Sequence, residues 1–111
     1  MDKNYYNPED LKKFRNITEY QPELGKKFFD YYDEVFKDGA LSAKEKSLIA
    51  LAVSHVLQCP YCIEAYSEDS LQRGATEEQM MEAVHVAGAI RGGSSLVHGV
   101  QMMNKVKGLS M

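Results

Sequence analysis

The chain contains two cysteines, three positions apart in Cys59-Pro60-Tyr61-Cys62. Proline is favoured at the first position of a helix, so this spacing predicts Cys59 near the N-cap and both sulfurs on the first turn. Unpaired backbone N–H groups and the positive end of the helix dipole favour thiolate over thiol there. The offset of three brings both sulfurs to one side of the turn, where a disulfide closes with little backbone movement. A nucleophilic thiolate beside a resolving partner suits thiol–disulfide exchange and peroxide reduction. The rival use of such a pair is half of a zinc site, which needs a second pair of ligands. The three histidines, His55, His85 and His98, offer no paired spacing, so neither a metal nor a cofactor is expected. Two inert core cysteines are the other alternative, and the proline at a helix start weighs against it.

Two further side chains are candidates for the same site. His55 lies four residues before Cys59, and Leu48, Ala52, His55 and Cys59 repeat at 4-3-4 spacing. If the preceding helix runs on to the dithiol, the imidazole shares the face of Cys59 and could lower its pKa or carry a proton. A hydrogen-bonded core histidine is the plain alternative. Tyr66, four residues after Cys62, can reach back along one helix face, and simple packing is the alternative there. Glu64 points elsewhere as a solvated charge, while spacing alone does not place His98 relative to the dithiol. The six methionines read as core or interface filler.

The elements that must position these residues are all helical. Asn7-Pro8-Glu9-Asp10 opens a short helix, with an N-cap, a first-position proline and acids in the first turn; it is expected to fade near Arg15-Asn16. Pro22-Glu23 opens a second, with Leu24, Phe28, Tyr31, Tyr32 and Val35 at 3–4 spacing, ended by Asp38-Gly39. Ser42 and Glu45 form a capping box for a helix apolar on nearly every face over residues 48–57, hence buried in the core or against a partner chain. The dithiol helix follows and ends at Arg73-Gly74. Thr76-Glu77-Glu78-Gln79 caps the next, through Met80, Val84, Ala87 and Ile90. Arg91-Gly92-Gly93 is expected to break the chain before a last helix bearing Leu96, Val97, Val100, Met103 and Val106. The predicted fold class is all-α, a compact bundle of about six helices.

A length of 111 residues implies one domain over residues 1–111, with 1–21 as an N-terminal extension carrying the short helix. Hydrophobic residues at 44% and charged ones at 26% give an ordinary globular balance that argues against disorder. A net charge of -3 provides no basic footprint for nucleic acid. No apolar run reaches the roughly 18 residues of a membrane span, and the N-terminus lacks a signal-peptide core, so a cytoplasmic protein is expected. A lone pair of cysteines cannot scaffold a secreted mini-protein. A chain this small has few layers with which to cover the apolar helix of residues 48–57, which predicts a homo-oligomer.

Three segments together resemble a known family: Ser47-Leu48-Ile49-Ala50-Leu51-Ala52-Val53-Ser54, then Cys59-Pro60-Tyr61-Cys62, then Arg73-Gly74-Ala75-Thr76-Glu77-Glu78. With the final Gly-rich segment, their order is similar to the carboxymuconolactone decarboxylase superfamily over roughly residues 22–107. The alkylhydroperoxidase D-like branch is the most similar, and within it a peroxidase-like subgroup associated with arsenosugar biosynthesis. The resemblance implies an alkylhydroperoxidase D-like all-α fold, assembly into dimers, trimers or hexamers, and peroxide reduction through the two cysteines. It implies that Cys62 is attacked by peroxide and Cys59 resolves, whereas the dipole argument leans towards Cys59. The family's proton relay uses a Glu twelve residues before the first cysteine and a His four after the second; these positions hold Ser47 and Tyr66. Neither is a general base near neutral pH. Either His55 has taken over proton transfer or peroxidase activity is weak. Glu45, on the order of 20 Å from Cys59 along a continuous helix, serves the capping box instead.

The function expected is a thiol-dependent peroxidase or disulfide reductase. Its substrate is a small-molecule peroxide or disulfide, and its electrons come from a thiol reductant, protein or small molecule. A lactone decarboxylase is one alternative, but that chemistry needs a base and an oxyanion site rather than a cysteine pair. A non-enzymatic redox-sensing or binding oligomer is the other, supported by the loss of the Glu and His relay.

Overall fold

Local capping chemistry sets the starts of four helical elements in this structure, a computed structural model that describes residues 6–110. The Asn7 side chain accepts the Glu9 N–H at 3.1 Å and opens an N-terminal 3-10 helix, Pro8–Tyr20. This element runs through the expected fading point at Arg15-Asn16 to Tyr20, much longer than the usual 3-10 turn. It folds back along α1 (Pro22–Val35), held by Arg15 to Asp33 at 2.6 Å and by Phe14 edge-on to Phe29 at 5.0 Å. A glycine is required where the two cross, because a Cβ at Gly25 would collide with the Thr18 side chain.

The capping box is present as the sequence predicts: Glu45 N–H donates to Ser42 Oγ at 3.0 Å, and Ser42 N–H to Glu45 Oε1 at 2.8 Å. It starts α2 (Ala43–Leu57), which packs against both α3 (Pro60–Gln72) and α4 (Glu77–Ser110). Ser47 and Ser70 are fully buried between α2 and α3, and their hydroxyls pair at 3.1 Å. Two small side chains at that level let the helices approach closely. The buried hydrophobic core among the described residues is small: Phe29, Ala43, Leu51, Ala75 and Ala87.

Two expectations are corrected here. Arg91-Gly92-Gly93 does not break the chain, and α4 continues through it for 34 residues. Glycine lowers helix stability by about 1 kcal/mol per residue without forbidding the conformation. The described residues form five helical elements, counting the 3-10 helix, which bears out the all-α class. The arrangement, however, is not compact. The radius of gyration is 18.9 Å, against roughly 13 Å for a compact chain of this length, because α4 projects beyond its packing partners. Among the described residues no helix is long and apolar enough to cross a membrane.

Candidate functional site: the Cys59–Cys62 turn

Gln58 carries the turn into the site. It is the single non-glycine residue in the left-handed region among those described, at φ 54° and ψ 47°. It ends α2 and lets the Cys59 N–H reach the Ser54 carbonyl at 3.1 Å. Cys59 is then extended and caps α3, its Sγ accepting the Cys62 N–H at 3.3 Å, with Pro60 in the first turn. Cys59 and Cys62 are joined as a disulfide, with Cα atoms 5.3 Å apart, inside the span such a bond requires. Tyr61, between them, donates its hydroxyl to Asp10 at 3.4 Å and sets its ring against Tyr6 at 4.8 Å. The N-terminal 3-10 helix is thereby pinned to the dithiol turn.

Tyr66 stands one turn above Cys62. Its ring stacks on Phe36 at 5.2 Å, and its hydroxyl meets that of Tyr32. Burial pushes the Tyr32 phenol above its usual pKa; Arg15 opposes this, and Asp33 and Asp69 add to it. Tyr32 is therefore protonated at neutral pH and is able to donate a hydrogen bond.

Three clefts meet at this pair. One of about 450 Å³ lies against both sulfurs and is lined on its far side by Leu11, Phe14 and Ile17. A second, of about 650 Å³, reaches Cys62 from the side of Ile49, Val53 and Leu57 on α2. A third, of about 570 Å³, is mixed, with Lys37, Asp69 and Arg73 in its wall beside Phe36 and Ala65. Tyr32 and Tyr66 border all three, and Cys62 borders the first two.

The structure brings Tyr66 to the cysteines but turns His55 elsewhere. The shared face of His55 and Cys59 depended on one continuous helix, and the left-handed Gln58 breaks it. His55 instead borders a separate cleft with Leu51, Ser67, Leu71, Met80 and Val84, its Nδ1 donating to the Leu51 carbonyl at 2.8 Å. Ser47 pairs with Ser70, about 12 Å along α3 from Cys62, and Glu45 caps α2. His98 lies exposed on the projecting part of α4 and turns Nδ1 to the Ser94 carbonyl at 2.6 Å. Among the described residues no three His, Cys, Asp or Glu side chains gather as a metal site. That Tyr32 and the N-terminal helix line the dithiol cleft escaped sequence reasoning. Both meet the dithiol only through tertiary packing, and no spacing along the chain records that.

Comparison with known proteins agrees with the all-helical scaffold that carries this site. Residues 22–105 match the carboxymuconolactone decarboxylase family. A curated relative, uncharacterized protein 4 in the cox locus of Paracoccus denitrificans, is 52% identical over 64 residues, 58% of each chain. The chain thus spans 58% of the length of that relative. A protein of Methanobacterium thermoautotrophicum superposes with a TM-score of 0.74 at 32% identity, covering 78% of this chain and 97% of that one. A carboxymuconolactone decarboxylase family protein of Legionella pneumophila gives 0.69 at 33% identity, covering 83% and 82%. Another of that family, from Thermotoga maritima, gives 0.54 at 29% identity, covering 72% and 92%; a part in the antioxidative response has been suggested for it. The chain belongs to the carboxymuconolactone decarboxylase family.

Proposed function

We propose that this member of the carboxymuconolactone decarboxylase family is a thiol-dependent oxidoreductase that reduces a small peroxide or disulfide through Cys59 and Cys62. The observation that carries the reading is the disulfide at the N-terminus of α3, set in the wall of a largely apolar cleft beside the paired hydroxyls of Tyr32 and Tyr66. The antioxidative role suggested for the Thermotoga maritima relative supports it.

In the reduced protein the Cys62 thiolate attacks one oxygen of the peroxide. An S–O bond forms, the O–O bond breaks, and the departing alkoxide leaves as alcohol with a proton from Tyr66, which regains it from solvent. The Cys59 thiol then attacks the sulfenic sulfur, water leaves, and the disulfide closes. An external thiol returns two electrons by exchange. Cys62 takes the first role because it borders both clefts and Tyr66. Cys59, whose sulfur already holds the Cys62 N–H, is suited to resolve. With a disulfide substrate the same thiolate forms a mixed disulfide, which Cys59 releases.

The test is to trap the reduced protein with an alkylating agent before and after adding peroxide, and to weigh it. Loss of two hydrogens, reversed by dithiothreitol, is expected. Cys59→Ser should accumulate a sulfenic acid on Cys62, and Cys62→Ser should not react. Unchanged thiols after exposure to peroxides and to small disulfides would overturn the reading.

A further inference from the structure

The cleft against both sulfurs has two walls of different origin. One is α3, inside the part of the chain that matches the family. The other is Leu11, Phe14 and Ile17 of the N-terminal 3-10 helix, which precedes the matched residues 22–105. This helix is a surface strap without a buried residue of its own. Side-chain contacts hold it down, among them Asp10 to the Tyr61 hydroxyl within the dithiol turn, Arg15 to Asp33 and over the Phe29 ring, and Phe14 to Phe28, Phe29 and Tyr32. Ile17 is 63% exposed and lines the cleft. The rim carries no net charge, because Lys13 lies 3.8 Å from Asp10.

We infer that this strap, rather than the family scaffold, selects what reaches the sulfurs: Leu11, Phe14 and Ile17 favour oxidants with a neutral apolar body over hydrogen peroxide and over anions. The inference rests on the redox reading of the dithiol and adds the residues that set its selectivity. A cleft of about 450 Å³ falls in the range that encloses a small organic molecule. An apolar body there displaces water from three hydrophobic side chains, a gain unavailable to hydrogen peroxide.

The experiment uses the full-length, fully reduced protein and two strap variants, Leu11→Gln and Ile17→Gln. Ile17 is exposed enough that its substitution leaves the fold intact, and circular dichroism verifies both variants. Rates of disulfide formation are compared for cumene hydroperoxide and hydrogen peroxide. In a second arm, rates of thiol alkylation are compared for neutral N-phenylmaleimide and anionic iodoacetate. The wild type should favour the apolar reagent in each pair, and each variant should lower that preference roughly tenfold, the usual worth of a small change in an apolar pocket. Preferences unchanged in both arms overturn the inference. If no peroxide oxidises the dithiol but the alkylation preference still falls, the peroxidase reading fails and the strap keeps its role.

Discussion

The resemblance implies a histidine at the position of Tyr66, and in the proposed reaction the phenol takes a different part. Paired with Tyr32 and bordering both clefts that Cys62 reaches, it can donate to a departing oxygen but cannot draw a proton from a thiol at neutral pH. The thiolate must then be favoured by the turn itself, through the backbone N–H groups and dipole of α3. His55 would have been the natural base on spacing alone, yet it borders another cleft and bonds its own helix. His55→Gln should therefore leave the alkylation rate of the dithiol within about a factor of two, since no catalytic base of the usual 10²–10⁴-fold worth is removed. Tyr66→Phe should slow peroxide-driven disulfide formation roughly tenfold, the worth of one hydrogen bond to a developing charge. Stopped-flow traces of both variants decide it, and the reverse order would return the histidine to the site. The proximity of Tyr66 to Cys62 was legible because it is local to one helix. Tyr32 was not, because it read as one more apolar-spaced residue of α1.

At the level of elements, the sequence was most informative where capping groups lie close along the chain. Ser42 and Glu45 mark the start of α2 unambiguously, and Asn7, Pro22 and Pro60 do the same for their helices. Ends defined only by propensity were less legible. Arg91-Gly92-Gly93 looked like a break, yet nothing lies within 4 Å of a Cβ built at either glycine, and the helix simply continues. Gln58, a non-glycine residue, made the sharp turn that separates His55 from Cys59. The capping box itself is testable. Hydrogen bonds from the Ser42 backbone, and then its side chain, hold the Glu45 carboxyl below its usual pKa. A carboxyl lowered in the folded state stabilises the protein above its unfolded value, and that contribution disappears as pH falls through the folded one. Ser42→Ala should cost about 1 kcal/mol in urea unfolding at neutral pH. The advantage of Glu45 over Glu45→Gln should be present at pH 7 and vanish in acid below the folded pKa. An advantage constant with pH would mean the carboxylate charge contributes nothing to the cap.

For the molecule as a whole, the unusual fact is how little it covers. An all-helical class was readable from sequence, but compactness was not, because nothing local reports that a long terminal helix outruns its neighbours. At 1.5 Å per residue, α4 is about 51 Å long, and its later part leaves Leu96 80% exposed, with Val97, Val100, Met102, Met103 and Leu109 also exposed. On one face Gly92, Leu96, Gly99 and Met103 follow at 4-3-4 spacing, and open space lies above both glycines. That pattern of small and large side chains would let a second helix come close and interdigitate. A large exposed apolar patch marks an interaction surface, and a stable interface needs on the order of 1,200–2,000 Å² in total. The occupant we propose is another copy of the same helix. Sedimentation equilibrium at micromolar concentration should therefore give a multiple of the 12.5 kDa chain mass. Leu96→Glu should move the distribution towards a single chain, because self-association would bury a carboxylate without a partner. Gly92→Ala separates the two environments. On a solvated helix it stabilises by about 0.4–1 kcal/mol, whereas at a close helix crossing the added methyl weakens association. A wild type that sediments as a single chain at all concentrations, with Gly92→Ala simply more stable, would show that α4 stands alone in water.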